Sequence, residues 1–408
     1  MSQIRLLMLN FEFPPIGGGA AHAHLSLLKQ YAGRGDLKVD VLTSAPQPGN
    51  FTERFSDNVT IYKVGLHKKD LHFWRKTEVI EWLFKSKFHY KKLLRQNNYD
   101  LVHAFFGFPT AYLCYKSAKV LPYIISLRGS DVPGEHARLK LDYKILGPLL
   151  FKPIWINAAL LVACSEGLKK RALSFLPDVS IDVIPNGIDL DRFSPAILRP
   201  CSGHACGQGL ALGTGPGANR SSDMLRLLTV GRLSVTKRVE MLINAVLILH
   251  NDGYNVHFTI VGGGKLEQKL RQIVAEANLS DIVEITGRVD AEKMPHIYRQ
   301  NDIFISASMQ EGMSNAMLEA MASGLPIITT HCEGVEELIK DNGFIVEDAQ
   351  AEQIAAAIGK LAGDKESLRR MSAAARRQAE NFGWDKVAQD YIECYKRILE
   401  HATKDEST

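Results

Sequence analysis

Two carboxylates, Glu311 and Glu319, bracket a glycine-bearing loop in Ser308-Met309-Gln310-Glu311-Gly312-Met313-Ser314-Asn315-Ala316-Met317-Leu318-Glu319. A strand ends before this stretch and a helix starts near Asn315. The N–H groups of Gly312, Met313, Ser314 and Asn315 have no helical partner and make a cradle for an anion or a hydroxyl. Glu311 sits at its rim. Glu319 lies about one turn inside, among Ala, Met and Leu, where an ionised carboxylate is costly unless something satisfies it. A ribose diol would do so, because one carboxylate accepts from two hydroxyls. A structural pair with a distant Lys or Arg would serve as well.

Cations are offered in the same half of the chain. Gly231-Arg232 ends a strand and Lys237-Arg238 opens the next helix. Ligands of open α/β sheets bind beyond the carboxyl ends of the strands, so Arg232 and Lys237 stand where a diphosphate could lie, unless they are solvated loop charges. Near the N-terminus, Phe13-Pro14-Pro15-Ile16-Gly17-Gly18-Gly19 follows a strand and precedes a helix. Gly17 and Gly18 permit close backbone approach to a phosphate or sugar, or simply make a tight turn. The dinucleotide fingerprint fails here: His22 stands where it needs its third glycine, and Thr43-Ser44 where it needs an acid.

The elements that would position these residues alternate. Apolar runs at Ile4–Leu9, Val39–Leu42, Leu101–His103, Tyr123–Leu127, Leu160–Ala163 and Ile181–Ile184 are separated by helix-period segments. The pattern restarts with Leu227–Val230, Val256–Val261, Val283–Ile285, Ile303–Ser306, Pro326–Thr329 and Phe344–Val346. Strand and helix in alternation predict two doubly wound α/β domains with parallel sheets. The expected division is 1–198, a flexible Gly-rich linker or insertion at 199–223, a second domain at 224–383, and a last segment at 384–408. Cys201, His204 and Cys206 fall in the linker, which offers neither a fourth ligand nor a firm frame for a metal.

The 408 residues are 46% hydrophobic and carry a formal charge of +4, so composition does not point to nucleic acid. Residues 1–195 hold 26 Lys/Arg against 17 Asp/Glu, which directs the first half toward something anionic. From Lys63 to Arg95 there are ten Lys/Arg and three Asp/Glu, with Phe73, Trp74, Trp82, Phe84, Phe88 and Tyr90 interleaved. That composition suits either an anionic membrane surface or a solvated helix whose aromatics fill the core. No apolar run is long enough to span a bilayer, the first residues carry no cleavage signature, and six scattered cysteines suit a reducing compartment. A cytoplasmic protein, peripheral on the inner membrane face where the basic segment engages lipid, is expected.

Taken together, Glu311 to Glu319 resembles the E-x7-E motif of glycosyltransferase family 4, a retaining family of the GT-B fold. Gly231-Arg232 with Lys237 resembles its diphosphate clamp, Pro185-Asn186-Gly187-Ile188-Asp189 to Phe193 its interdomain signature, and Phe13 to Gly18 its donor-facing loop. The resemblance implies two Rossmann-like domains facing across a cleft, with a last helix from Trp384 crossing back to the first. It implies a nucleotide-sugar donor, a glycan or lipid-linked acceptor and polysaccharide biosynthesis. Glu319 would bind the ribose, while Glu311 and the backbone after it would hold the transferred sugar. Arg232 and Lys237 would neutralise the departing diphosphate, so that neither cofactor nor metal is required. Asp189-Leu190-Asp191 spells D-x-D, a metal signature of a different transferase fold, but it falls within the interdomain signature.

One departure concerns Arg128-Gly129-Ser130-Asp131, where many relatives have His-Gly-x-Asp. Asp131 is retained as a catalytic candidate. Arg128 reads as a contact to a carboxylate or phosphate of the sugar or acceptor, or as an arginine tied to Asp131. His103, at a strand end, is a further candidate for sugar or acceptor contact, or a satisfied structural histidine. A nucleotide-sugar epimerase or hydrolase of the same fold, a non-catalytic sugar-phosphate-binding module and a Rossmann oxidoreductase are the competing readings.

Overall fold

The computed structural model describes residues 3–71, 73–134, 144–195 and 224–405. The expected linker at 199–223, with Cys201, His204 and Cys206, lies outside the described residues. The chain divides into two compact units, Met1–Gly187 with Trp384–Thr408, and Ile188–Gly383.

The first unit contains β1 (Ile4–Leu9), β2 (Leu37–Ala45), β3 (Asn50–Ser56), β4 (Val59–Gly65), β5 (Leu101–Phe105), β6 (Tyr123–Leu127), β7 (Leu160–Ala163) and β8 (Ile181–Val183). Their order across the sheet is β3-β4-β2-β1-β5-β6-β7-β8, parallel except for the β3–β4 pair. Helices cover a parallel sheet, so its strands read as near-continuous apolar runs. β5, β6 and β7 are buried at every position. Neither the antiparallel β3 nor β4 is among the expected elements; β4, VTIYKVG, is buried only in part. Of the two, β3 departs further from the pattern. Its sequence, NFTERFS, is mostly exposed and lacks the apolar run that marks the others.

The second unit contains β9 (Leu225–Val230), β10 (Val256–Val261), β11 (Val283–Gly287), β12 (Ile303–Ser306), β13 (Ile327–Thr330) and β14 (Gly343–Val346), in the order β11-β10-β9-β12-β13-β14. All of its pairs are parallel. This is the doubly wound order, which reverses between β9 and β12. One core cluster joins Phe258 and Ile260 to Leu242, Ile243 and Val246 of the Val239–Asn251 helix and to Ile354 and Ile358 of Ala351–Ala362.

The chain passes between units at Gly187–Ile188, ahead of the boundary expected at 198. Ile188 donates its N–H to Phe382 O at 2.8 Å and bridges to Gly383. The Arg376 guanidinium donates to the carbonyls of Leu190, Phe193 and Ala322 at 3.2, 2.8 and 2.9 Å. Residues 188–193 therefore belong to the second unit. Gly187 stays with the first, where any Cβ would overlap the Trp384 indole.

The Trp384–Asp405 helix is fixed to the first unit by a buried polar network. Tyr395 Oη lies 3.0 Å from Tyr31 Oη and 2.7 Å from His103 Nδ1. His103 Nε2 lies 2.7 Å from Ser126 Oγ, which lies 2.9 Å from Tyr391 Oη. The sequence leaves His103 as either a contact to sugar or acceptor or a satisfied structural histidine, and its surroundings do not fit the first. Instead it is fully buried with both ring nitrogens bonded to protein, and burial holds its pKa well below the usual value, leaving a neutral imidazole. Tyr395→Phe should cost about 1–3 kcal/mol, because His103 and Tyr31 would each lose a buried partner. Urea unfolding measures it; an unchanged midpoint would mean the network does not hold the helix.

Candidate active site

In the second unit the loops after β9 and β12 emerge where the strand order reverses, and they carry Arg232, Lys237 and Glu311. Gly231 donates to Val261 O at 2.9 Å, and Leu233 to Gly263 O at 3.1 Å. Gly262 has φ +138° and faces the Gly231 carbonyl so closely that a side chain would overlap it. Two main chains can pack this tightly only where one lacks a Cβ. Gly231 in turn lies against the Lys237 stem, which a Cβ there would meet at 3.4 Å. Lys237 Nζ pairs with Glu311 Oε1, with side-chain exposures of 24% and 17%. Arg232 is exposed, and its side chain bonds to nothing among the described residues.

Two further contacts hold these loops. Arg238 has φ +46° and donates from Nε to Ala307 O at 2.6 Å and from Nη2 to Thr330 Oγ1 at 3.0 Å. It thus clamps the carboxyl ends of β12 and β13, a structural role the sequence reading left unassigned. Glu311 N–H donates to Glu333 Oε2 at 3.1 Å, tying its loop to the one after β13.

Gly312, Met313, Ser314 and Asn315 lead into the Asn315–Ala322 helix. Ser314 caps it, its Oγ accepting from Met317 N–H at 3.4 Å. Glu319 follows one turn later. The buried Tyr298 hydroxyl donates to its Oε2 at 2.8 Å, while Oε1 bonds to nothing among the described residues. Burial pushes the Glu319 pKa up to about 7, against the Tyr298 hydrogen bond and the charge of Arg192, which both lower it. Tyr298 is held from its other side by Phe193, ring centroids 5.7 Å apart and edge-on. The sequence offered two readings for this carboxylate, a ribose diol or a basic partner. The contact found is a tyrosine, which its position in a short helix, Met294–Arg299, gave no reason to single out. Asp189 Oδ1 accepts the Arg192 N–H at 2.9 Å, so this carboxylate turns the chain toward Phe193.

The first unit repeats the arrangement where its order reverses between β1 and β5. Gly17 has φ +101°, where L side chains are strained, and donates to Leu71 O at 2.8 Å. Gly18 precedes the Gly19–Tyr31 helix, which has no side-chain cap and no acidic residue in its first turn. Asp131 is buried and accepts Gly107 N–H on Oδ2 at 2.7 Å and Arg128 N–H on Oδ1 at 2.8 Å. Only the Arg128 main chain is tied to Asp131. Its guanidinium donates from Nη1 to Asn186 Oδ1 at 2.7 Å and lies over the Phe105 ring, 4.4 Å from its centroid.

Residues 16–192 match Glycosyltransferase Family 4, and residues 218–378 match Glycosyl transferases group 1. An uncharacterized glycosyltransferase of Methanocaldococcus jannaschii is 25% identical over 97% of this chain and 99% of its own. Sucrose-phosphate synthase of Thermosynechococcus elongatus superposes with a TM-score of 0.77 at 18% identity, covering 98% of this chain and 100% of that one. Anabaena HepE, solved in complex with UDP-glucose, superposes at 0.68 and 17% identity, covering 97% and 100%. The chain is a GT-B-fold glycosyltransferase related to both families.

The raised pKa of Glu319 in this transferase makes stability depend on pH. The folded carboxyl keeps its proton to about pH 7, whereas an ordinary glutamate releases it near 4.5. Between these values the folded state binds more protons, so this group's contribution is full below 4.5 and is lost as pH rises through 7. Glu319→Gln cannot ionise. Its thermal midpoint should therefore gain on wild type between pH 5 and pH 8, and an equal difference at both would disprove the shift.

Proposed function

We propose that this transferase moves a glycosyl unit, with retention and without a metal, from a nucleotide-diphosphate sugar to a glycan or lipid-linked acceptor. The observation that carries the reading is Glu319. Its carboxylate is half-buried beside the Ser314-capped helix start, with one oxygen on Tyr298 and the other unbonded among the described residues. A ribose diol supplies two hydroxyl donors to such a carboxylate. The complex of HepE with UDP-glucose supports a donor of this class.

On this reading Lys237 and Arg232 stabilise charge on the departing diphosphate, which grows toward the transition state. The main-chain N–H groups of residues 312–315 hold hydroxyls of the transferred sugar beside Glu311. Attack comes from the same face as departure, and the leaving phosphate helps deprotonate the acceptor. Asp131 acts as a positioning residue through the two main-chain groups it fixes. Glu319→Ala should raise the donor KM by roughly 10- to 100-fold through lost charged hydrogen bonds. Lys237→Ala should lower kcat more than it raises KM, and wild-type turnover should survive EDTA. A wild-type donor KM in Glu319→Ala, or strict dependence on a divalent ion, would refute the respective assignment.

The acceptor side of the proposal rests on the Lys76–Gln96 helix. Trp82 and Tyr90 are buried, but Ile80, Phe84 and Phe88 are 56%, 68% and 71% exposed. These three share one face at fourfold spacing, beside exposed Lys87, Lys91 and Lys92. No helix among the described residues is long and apolar enough to cross a membrane. An apolar stripe with flanking cations suits adsorption to anionic lipid, at about 1 kcal/mol per cation. The transferase should co-float with anionic but not neutral vesicles, less so at high salt, and Phe84→Ser with Phe88→Ser should abolish it. Failure to float at low salt would favour an acceptor free in solution.

A further inference from the structure

We infer that Arg128 is the binding group for an oxyanion, a carboxylate or a phosphate, carried by the acceptor. The inference rests on the transferase reading above and adds the chemical class of the second substrate. Arg128 directly follows β6, and its neighbours fix it in place without neutralising it. Asp131, the nearby acid, has both carboxylate oxygens engaged by main-chain N–H groups. The guanidinium bonds instead to a neutral amide, Asn186, and stacks on an apolar ring, Phe105. Its Nε is buried with no hydrogen-bond partner, and it forms no ion pair among the described residues.

A half-buried guanidinium without a counterion is costly to maintain, because the field of a charge is poorly screened away from water. That field is felt nearby: His24 is held at a pKa of about 3 by burial, with the Arg128 charge adding to the depression. Asn186 and Phe105 set the plane of the fork and leave Nε unpaired. Such a fork suits two-pronged recognition of a planar carboxylate or a phosphate, which a lysine cannot reproduce. Arg171 brings a second guanidinium to the same loop, where its Nη2 lies 3.4 Å from Gly129 O. Both cations flank the loop that leaves the carboxyl end of β6, the edge where open sheets take their ligands.

The test uses the full chain carrying Arg232→Ala and Lys237→Ala, so that anion binding at the donor cations does not contribute. Inorganic phosphate, glucuronate and neutral glucose are titrated separately and followed by calorimetry, before and after Arg128→Gln or Arg128→Lys is added. Phosphate, glucuronate or both should bind in the millimolar range, and glucose should not. Arg128→Gln should weaken that binding at least tenfold, with Arg128→Lys between. Phosphate binding alone identifies a phosphorylated acceptor, and glucuronate binding alone an acidic sugar. Absence of binding by either anion, or binding unchanged in both Arg128 variants, overturns the inference. Nucleoside diphosphate binding measured with Arg128→Gln alone should match wild type. If it is absent from wild type as well, the donor reading fails independently.

Discussion

Everything chemical in this transferase depends on one property of a parallel sheet: all its strands end on the same edge. Crossovers leave that edge toward one side or the other, and where the strand order reverses they part and leave a crevice. The chain reverses twice, between β1 and β5 and between β9 and β12. Gly17, Gly18 and the Asp131 clamp stand at the first reversal or one strand along from it. Arg232, Lys237, Glu311 and the 312–315 loop stand at the second. The glycines are where they are because these loops must turn sharply or let one main chain lie on another, as Gly262 does on Gly231.

Burial then decides what each polar group can do. His103, Tyr31, Tyr395, Ser126 and Tyr391 satisfy one another, so their burial buys rigidity and leaves nothing for a ligand. Asp131 spends both oxygens on main-chain donors. Glu319 is different, because Tyr298 engages one oxygen and no described residue bonds to the other. The segment Asp189–Phe193 contributes to that state from a distance. Asp189 turns it, Phe193 packs on Tyr298, and the Arg192 charge lowers the cost of ionising Glu319.

The strands were legible because buried parallel strands must be apolar along their length. Tyr123–Leu127, Leu160–Ala163, Val256–Val261 and Ile303–Ser306 have the bounds read from the sequence. β3 and β4 were not legible: β3, NFTERFS, is an exposed edge strand that needs no apolar face, and β4, VTIYKVG, alternates apolar with polar residues and is buried only in part. Among the candidate site residues, those in glycine loops could be placed by their position after a strand. Partners remote in sequence could not, since nothing about Tyr298 or Asn186 marks it as the neighbour of Glu319 or Arg128. His103 allowed two readings because a strand end near a sheet's carboxyl edge is also where a last helix can pack. The basic segment was ambiguous in composition, since only the helical phase tells which aromatics face in. Trp82 and Tyr90 do, while Phe84 and Phe88 do not.

The Lys237–Glu311 pair adds a last step to the proposed chemistry. Each group is the other's counterion, and neither is left as an isolated, partly buried charge. On the proposed reading, a donor would replace both halves of the pair at once, with its diphosphate on Lys237 and its sugar hydroxyls on Glu311. A nucleoside diphosphate without a sugar would replace only one half and strand the Glu311 carboxylate, which is costly for a partly buried charge. On that reading the pair would favour the intact donor in binding. Once the sugar had left for the acceptor, Glu311 would lose its hydroxyl partners and compete again for Lys237, so that the same interaction that favours the donor would help expel the spent nucleotide.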